Sequence, residues 1–259
     1  YCMAPDFFTG AEAGALQQEV ERLRQEGHMD NVATAGDGQS EDTANVNLQL
    51  HHPGKQSALI RAMPFADKFN RSVTALVGEP NEVQTTQIFY KPAGNGSATN
   101  WHQDNAYFGA LDNTMGTGVW IAIHEANEAN GTMRIIPGSH LESYEHKRDP
   151  NSNHHIRCYP NEDKAIPCLL PAGGALFFNY GVAHCTGPNQ TAGDRAGLAL
   201  HVHHLDIPAG PGQLTQRRES GRKGEYYLLA GGDGGAERYG QSQLGEFDRL
   251  VQEWAGAGA

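Results

Sequence analysis

Long apolar runs are missing from this chain. No stretch comes near the roughly 20 residues a bilayer crossing requires, which excludes a protein that spans a membrane by helices. The start, Tyr1-Cys2-Met3-Ala4-Pro5-Asp6, lacks the basic and then apolar succession of a secretory leader. Positive charge is also short: 19 Lys and Arg stand against 30 Asp and Glu, a formal charge of −11. A duplex-tracking nucleic-acid binder needs clustered Lys and Arg to neutralise phosphates, so that class is not expected. Cysteine is scarce, and Cys2, Cys158, Cys168 and Cys185 have no paired close spacing, which argues against a zinc knuckle and a dense disulfide framework. A reduced, cytoplasmic protein is the expectation, with one or two disulfides left open because sequence does not place partners. Internal repeats are absent as well.

Glycine, proline and histidine are plentiful. The 32 Gly and 13 Pro imply many turns and short strands. Thr9 with Glu12 forms a capping box, and Leu16, Val20 and Leu23 recur at helical spacing, which predicts an amphipathic helix over 10–26. A second helix is expected near the other end, capped by Ser242, with Leu244, Phe247, Val251 and Trp254 on one stripe and Gly256 at its stop. Residues 57–77 read as one or two helices interrupted at Pro64, and Val46, Leu48 and Leu50 alternate as a half-buried strand does. From Glu82 onward short strands follow at 83–91, 99–104, 117–124, 132–137, 165–170, 174–180 and 195–205. Asn130-Gly131 signals a type I′ hairpin between two of them. The polar stretch 141–164 is long for a hairpin connection and reads as an excursion over one mouth of a β-sandwich or small barrel.

The 13 histidines raise the question of metal. Three His-x-Asp triplets occur, at His28/Asp30, His102/Asp104 and His204/Asp206. A strand is needed for such a triplet to grip one ion, because side chains at i and i+2 then share a face. The first triplet follows a helix end and the third has no histidine downstream. His102 and Asp104 have His184 on or just after a later strand, and two imidazoles with one carboxylate leave three positions open, as suits Fe(II) and O2. The plainer alternative is that His102 and His184 are ordinary polar strand residues. Arg195 weighs against it: the alternation of Leu198, Leu200 and Val202 puts Arg195, Gly197, Ala199, His201 and His203 on the other face. A buried guanidinium needs an anion, and its planar fork fits a carboxylate. No acidic side chain is an obvious internal partner, so a bound carboxylate is the simpler answer.

In the run Thr99-Asn-Trp-His-Gln-Asp104, with Gly118-Val-Trp-Ile-Ala, Asn130-Gly131, Ile136-Pro-Gly-Ser-His140 and His184-Cys-Thr-Gly-Pro-Asn189 followed by Arg195, the chain resembles the phytanoyl-CoA dioxygenase family of Fe(II)/2-oxoglutarate oxygenases, from about Phe7 to Asp206. The resemblance implies a mainly β fold with flanking helices, the double-stranded β-helix (jelly roll, cupin-like). It implies one oxygenase domain: a helical part at about 6–80, a jelly-roll core at about 82–207, and a C-terminal extension with a helix at about 208–259. It also implies Fe(II), 2-oxoglutarate and O2 as cofactors, with His102, Asp104 and His184 as iron ligands. Arg195 and Thr186 then match the groups that hold the far carboxylate of 2-oxoglutarate, and Trp120 and Gln87 match side chains near it. Lys91, Tyr107, His201 and His203 are expected to face a small-molecule substrate. Related halogenases carry a small residue where Asp104 stands, so hydroxylation with release of succinate and CO2 is expected, with desaturation or ring closure as alternatives. Two further readings stay open: a non-catalytic metal- or ligand-binding jelly roll, and a cupin-type isomerase or hydrolase. His51, His52, His154 and His155 read as surface residues, His124 as a strand residue that faces the pocket or satisfies a hydrogen bond. Arg217, Arg218, Arg222 and Lys223 read as a solvated face or an anion clamp.

Overall fold

A computed structural model describes residues 1–219, 227–230 and 243–257. Thr9 closes its capping box with Glu12 at the start of α1 (Gly10–Gln25), and Leu16, Val20 and Leu23 are buried along one stripe. Ser57 caps α2 (Ala58–Ala62), a single 3₁₀ turn follows at Met63–Phe65 around Pro64, and α3 (Asp67–Val77) stops at Gly78. The expected break at Pro64 is therefore real. Short helices α4 (Asn105–Phe108) and α5 (Gln213–Glu219) come later, and α6 (Glu246–Ala257) is the last. That helix differs from expectation: Leu244 lies exposed before its first turn, and Gly256 falls inside it. Ser242, its expected cap, lies outside the described residues.

The strands are β1 (Cys2–Ala4), β2 (Asp30–Asn31), β3 (Leu48–His51), β4 (Asn81–Lys91), β5 (Thr99–His102), β6 (Gly116–Ala122) and β7 (Met133–Ile135). They continue as β8 (Lys147–Arg148), β9 (Ile156–Arg157), β10 (Ile166–Pro167), β11 (Ala175–Asn179), β12 (His184–Thr186), β13 (Arg195–His204) and β14 (Tyr227–Ala230). One antiparallel sheet runs β1-β11-β6-β13-β4-β3-β2 with β14 also on β4, and a second runs β10-β7-β12-β5. Side-chain alternation assigns the two faces of the large sheet. Val119, Ile121, Leu198, Leu200 and Val202 join α1, α2, α3 and α6 in the main core. Trp120, Ala122, Phe178 and Ala199 form a second core with Met133 and Ile135 of the small sheet. The site described below lies on that inner face. Among the described residues no helix is long and apolar enough to cross a membrane, and all four cysteines are free.

Asn130-Gly131 corrects the sequence reading. It does not join a hairpin, because β6 and β7 belong to different sheets. A type I′ turn needs positive φ at both central residues, yet only Gly131 has it, at 78°. The glycine is required by contact as well: a Cβ there would come within 2.2 Å of the Gly187 carbonyl oxygen.

Candidate metal centre and its cavity

His102 ends β5 and His184 begins β12, and the two are direct cross-strand partners. This register sets their rings 4.2 Å apart between centroids. Asp104 stands two residues beyond His102, at the turn into α4, and its Oδ1 is 3.8 Å from His102 Nε2 and 3.6 Å from His184 Nε2. One donor atom from each of the three lies within 4.8 Å of the others. Donors held at about 2.1 Å from one ion at right angles would stand about 3 Å apart, so the cluster closes onto an ion with movements below about 1 Å. The orientation of the rings fits such an ion too. His102 Nδ1 is 2.8 Å from the Asn100 carbonyl and His184 Nδ1 is 2.9 Å from that of Val182, which protonates Nδ1 and leaves both Nε2 lone pairs for a metal.

Burial pushes the His102 pKa down to about 3, with His184 adding to the effect. Burial works to raise Asp104, but the imidazoles of His201, His184 and His102 outweigh it and hold the carboxylate ionised. His201 of β13 has a further effect. Its Nε2 is 3.1 Å from Asp104 Oδ2, the oxygen that does not face the other two histidines, so the carboxylate is steered to offer Oδ1 alone. Phe108 and Tyr180 pack against the His201 ring at 5.1 and 6.0 Å between centroids.

A cavity of about 190 Å³ adjoins this cluster, and Arg195, Thr186, Trp120, Gln87, Tyr107 and His201 all line it. Arg195 is fully buried, and its guanidinium donates to the carbonyls of Asn130 and Gly131 while Nη1 has no partner. Thr186 Oγ1 is likewise buried and unpartnered. Burial pushes the Arg195 pKa down to about 9. Its guanidinium carbon lies 5.6 Å from the Trp120 ring. Trp120 fits there because residue 197 is glycine: a Cβ would come within 2.4 Å of the indole nitrogen. A half-satisfied cation and an unpartnered hydroxyl, Arg195 and Thr186, are what a bound carboxylate would complete.

Two expected substrate residues are placed elsewhere. Lys91 is opposite Arg195 on β4, buried, and its Nζ donates to the carbonyls of Ser97 and Gly187 at 2.6 Å each, so it braces two loops and is not among the lining residues. His203 pairs across the strand with Glu82 at 3.3 Å and also lies off the cavity. Tyr107 does line it, with its hydroxyl held by the backbone N–H of Ile156. His124 faces α1 instead, accepting from Ala196 N and standing 3.4 Å from Glu21. The basic group is split: Arg217 lines the cavity, Arg218 donates to the carbonyls of Leu205 and Ile207, and Arg222 and Lys223 lie outside the described residues.

Four histidines read as surface residues lie on the cavity: His51 and His154 at its mouth, His52 beside them, and His155 buried. The local sequence gives no sign of this, since His154 and His155 reach the cavity only because the 141–164 excursion folds back over β5. The one signal available was the excess of histidine itself.

Fold and site together define a protein with two main antiparallel sheets that offers two imidazoles and a carboxylate to one ion beside a cavity with a buried arginine. The chain belongs to the phytanoyl-CoA dioxygenase family, whose model matches residues 1–197. It is 30% identical over 127 residues to phytanoyl-CoA dioxygenase 1 of Oryza sativa subsp. japonica, covering 48% of this chain and 44% of that one. It is 21% identical over 229 residues to the ectoine dioxygenase of Stutzerimonas stutzeri, 80% of this chain and 74% of the other. The fold is similar to that of the non-heme alpha-ketoglutarate-dependent carbocyclase SnoK from nogalamycin biosynthesis, with a TM-score of 0.66 at 19% identity over 89% of this chain and 88% of that one. The chain spans less than half the length of the first three phytanoyl-CoA dioxygenases it matches.

Proposed function

We propose that this chain is a double-stranded β-helix oxygenase, a single domain that uses Fe(II), 2-oxoglutarate and O2 to hydroxylate an unactivated C–H bond of a small molecule, with release of succinate and CO2. The observation that carries the reading is the conjunction in one cavity of the His102/Asp104/His184 cluster with the unpartnered polar atoms of Arg195 and Thr186. A metal-binding jelly roll without a cosubstrate, or a cupin-type isomerase or hydrolase, has no use for those two orphaned groups. The four free cysteines support a reducing, cytoplasmic setting.

His102, Asp104 and His184 would hold the iron, which with 2-oxoglutarate and O2 supplies the oxidising power. The chain's own contribution is geometry. The β5/β12 register fixes the two imidazoles, and His201 restrains Asp104. Arg195 and Thr186 would receive the distal carboxylate of 2-oxoglutarate, with Trp120 covering the guanidinium against water. Because position 104 is a carboxylate, no vacant ligand site is left for a halide, which supports oxygenation over halogenation. Ring closure or desaturation is the second reading, and a carbocyclase is among the proteins that share the fold. Anaerobic addition of Fe(II) and 2-oxoglutarate tests the proposal: a visible metal-to-ligand charge-transfer band is expected, and metal-loaded protein without that band would overturn it.

A further inference from the structure

The mouth of the cavity carries a polar network that ties Gln87, which the family resemblance sets near 2-oxoglutarate, to two histidines outside the metal and cosubstrate readings. His51 ends β3 directly opposite Gln87 of β4. Gln87 Nε2 donates 2.8 Å to Gln49 Oε1 and lies 3.1 Å from His51 Nε2. Gln49 Nε2 in turn lies 3.1 Å from His155 Nε2 and donates to Asn47. An amide NH₂ only donates, so the nitrogen it meets on each ring must be the lone-pair one. Both His51 and His155 are thereby fixed as Nδ1–H tautomers. Among the described residues neither Nδ1 has a hydrogen-bond partner, nor does Gln87 Oε1; none of the three is among the fully buried unpartnered atoms, and all three residues line the cavity. The wall therefore offers two donors and one acceptor.

Its position suits a substrate rather than the cosubstrate. Gln87 is four residues along β4 from Lys91, the partner of Arg195, which is about 13 Å at the rise of a strand. Between these two positions stand Phe89 on β4 and Gly197 on β13, and His201 lies beyond Gln87, opposite Thr85. His52 carries the chain out of β3 in the left-handed region, φ 56°, alone among the described non-glycine residues. Such a conformation is strained for a residue with a side chain and persists where the surroundings impose it.

We propose that His51, His155 and Gln87 form the substrate-recognition wall, and that it selects an uncharged oxygen-bearing group, a hydroxyl or carbonyl, on a small molecule. The inference rests on the oxygenase reading above and names the substrate class for the same cavity. Among the described residues Asp104 is the one carboxylate that lines it, and its charge belongs to the metal, so a substrate ammonium finds no partner there, while Arg217, which also lines it, donates to the Gln84 carbonyl. A plain hydrocarbon chain would strip water from the imidazoles and amide without replacing it. Burial keeps His51 and His155 neutral at physiological pH, in keeping with an uncharged guest.

The test uses the full chain loaded with Zn(II) and 2-oxoglutarate, and ligand-observed NMR with four probes of one size: cyclohexanol, cyclohexanone, cyclohexylammonium and cyclohexanecarboxylate. Cyclohexanol or cyclohexanone should bind at least fivefold more tightly than either ion. His51→Leu, at the mouth and safe for folding, and His155→Leu should each abolish that preference, and Gln87→Leu serves where His155→Leu fails to fold. Equal or tighter binding of an ion, a preference retained in the variants, or no binding of any probe overturns the inference. Calorimetric titration of 2-oxoglutarate into the Zn(II) protein separates the two failures, since loss of that binding would count against the oxygenase reading itself.

Discussion

Arg195→Met removes a guanidinium that no acidic group among the described residues neutralises. Burial lowers its pKa from 12.5 to about 9, and that fall, at about 1.36 kcal/mol per pH unit, means that keeping the group charged costs the unliganded protein about 5 kcal/mol. Methionine fills much of the volume but leaves the carbonyls of Asn130 and Gly131 without their donor, a loss of about 1–3 kcal/mol each. The two terms nearly cancel, so the unliganded Tm should stay close to the parent's despite the loss of both hydrogen bonds, within about 4 °C for a chain of this size. Binding changes far more. A carboxylate deprived of two charge-assisted hydrogen bonds loses about 3–6 kcal/mol, which is roughly a 10²- to 10⁴-fold weaker Kd for 2-oxoglutarate. Calorimetry of the unliganded proteins and titration of the charge-transfer band read the two effects separately. A variant that binds 2-oxoglutarate within threefold of the parent would refute the clamp, and one that melts well below it would refute the cost assigned to the buried cation.

Three further expectations follow from the geometry. Gly197→Ala drives a Cβ to within 2.4 Å of the Trp120 indole nitrogen, so the ring that covers Arg195 must shift. Stability should fall by about 1–3 kcal/mol, with 2-oxoglutarate affinity reduced and metal affinity kept, as measured by separate titrations. His201→Leu frees Asp104 Oδ2, and Fe(II) affinity measured by chelator competition should drop about 10- to 100-fold; His201→Gln, which restores a donor, should recover most of it, and no loss in the leucine variant would show that the contact is idle. The buried His155 is held neutral, its pKa lowered by desolvation and then by His154. Its folded-state pKa lies below the ordinary 6.5, so the unfolded chain takes up more protons as pH falls, and stability is complete above that pH and lost below it. The unliganded Tm should decline on acidification from pH 6.5, less steeply in His155→Gln; identical slopes would refute the assignment.

Local rules carried the sequence reading wherever neighbours in the chain decide the structure. The Thr9/Glu12 box and the Pro64 break appear as expected because capping and ring sterics act within one turn. The alternation on β13 was legible for the same reason and put Arg195, Ala199 and His201 on the cavity. It misled at His203, where Glu82 on the adjacent strand takes the imidazole, and it gave no warning that Lys91 would spend its charge on two loop carbonyls. Asn130-Gly131 is informative here: the dipeptide favours a turn by itself, but which strands the turn joins, and that its carbonyls meet Arg195, depends on residues 64 and 65 positions away.

What the sequence determined alone was the inventory and its facing: two histidines and an aspartate able to grip one ion, an arginine with no acid to pair, and strands whose period of two points them inward. Tertiary structure decided which of the inward groups share a space. It set His102 against His184 by strand register, gave Asp104 its restraint from His201, and folded a distant excursion back so that His155 meets Gln49. Those contacts are between residues remote in sequence, and their energies depend on burial and on the partner found, neither of which is encoded in any single stretch of chain.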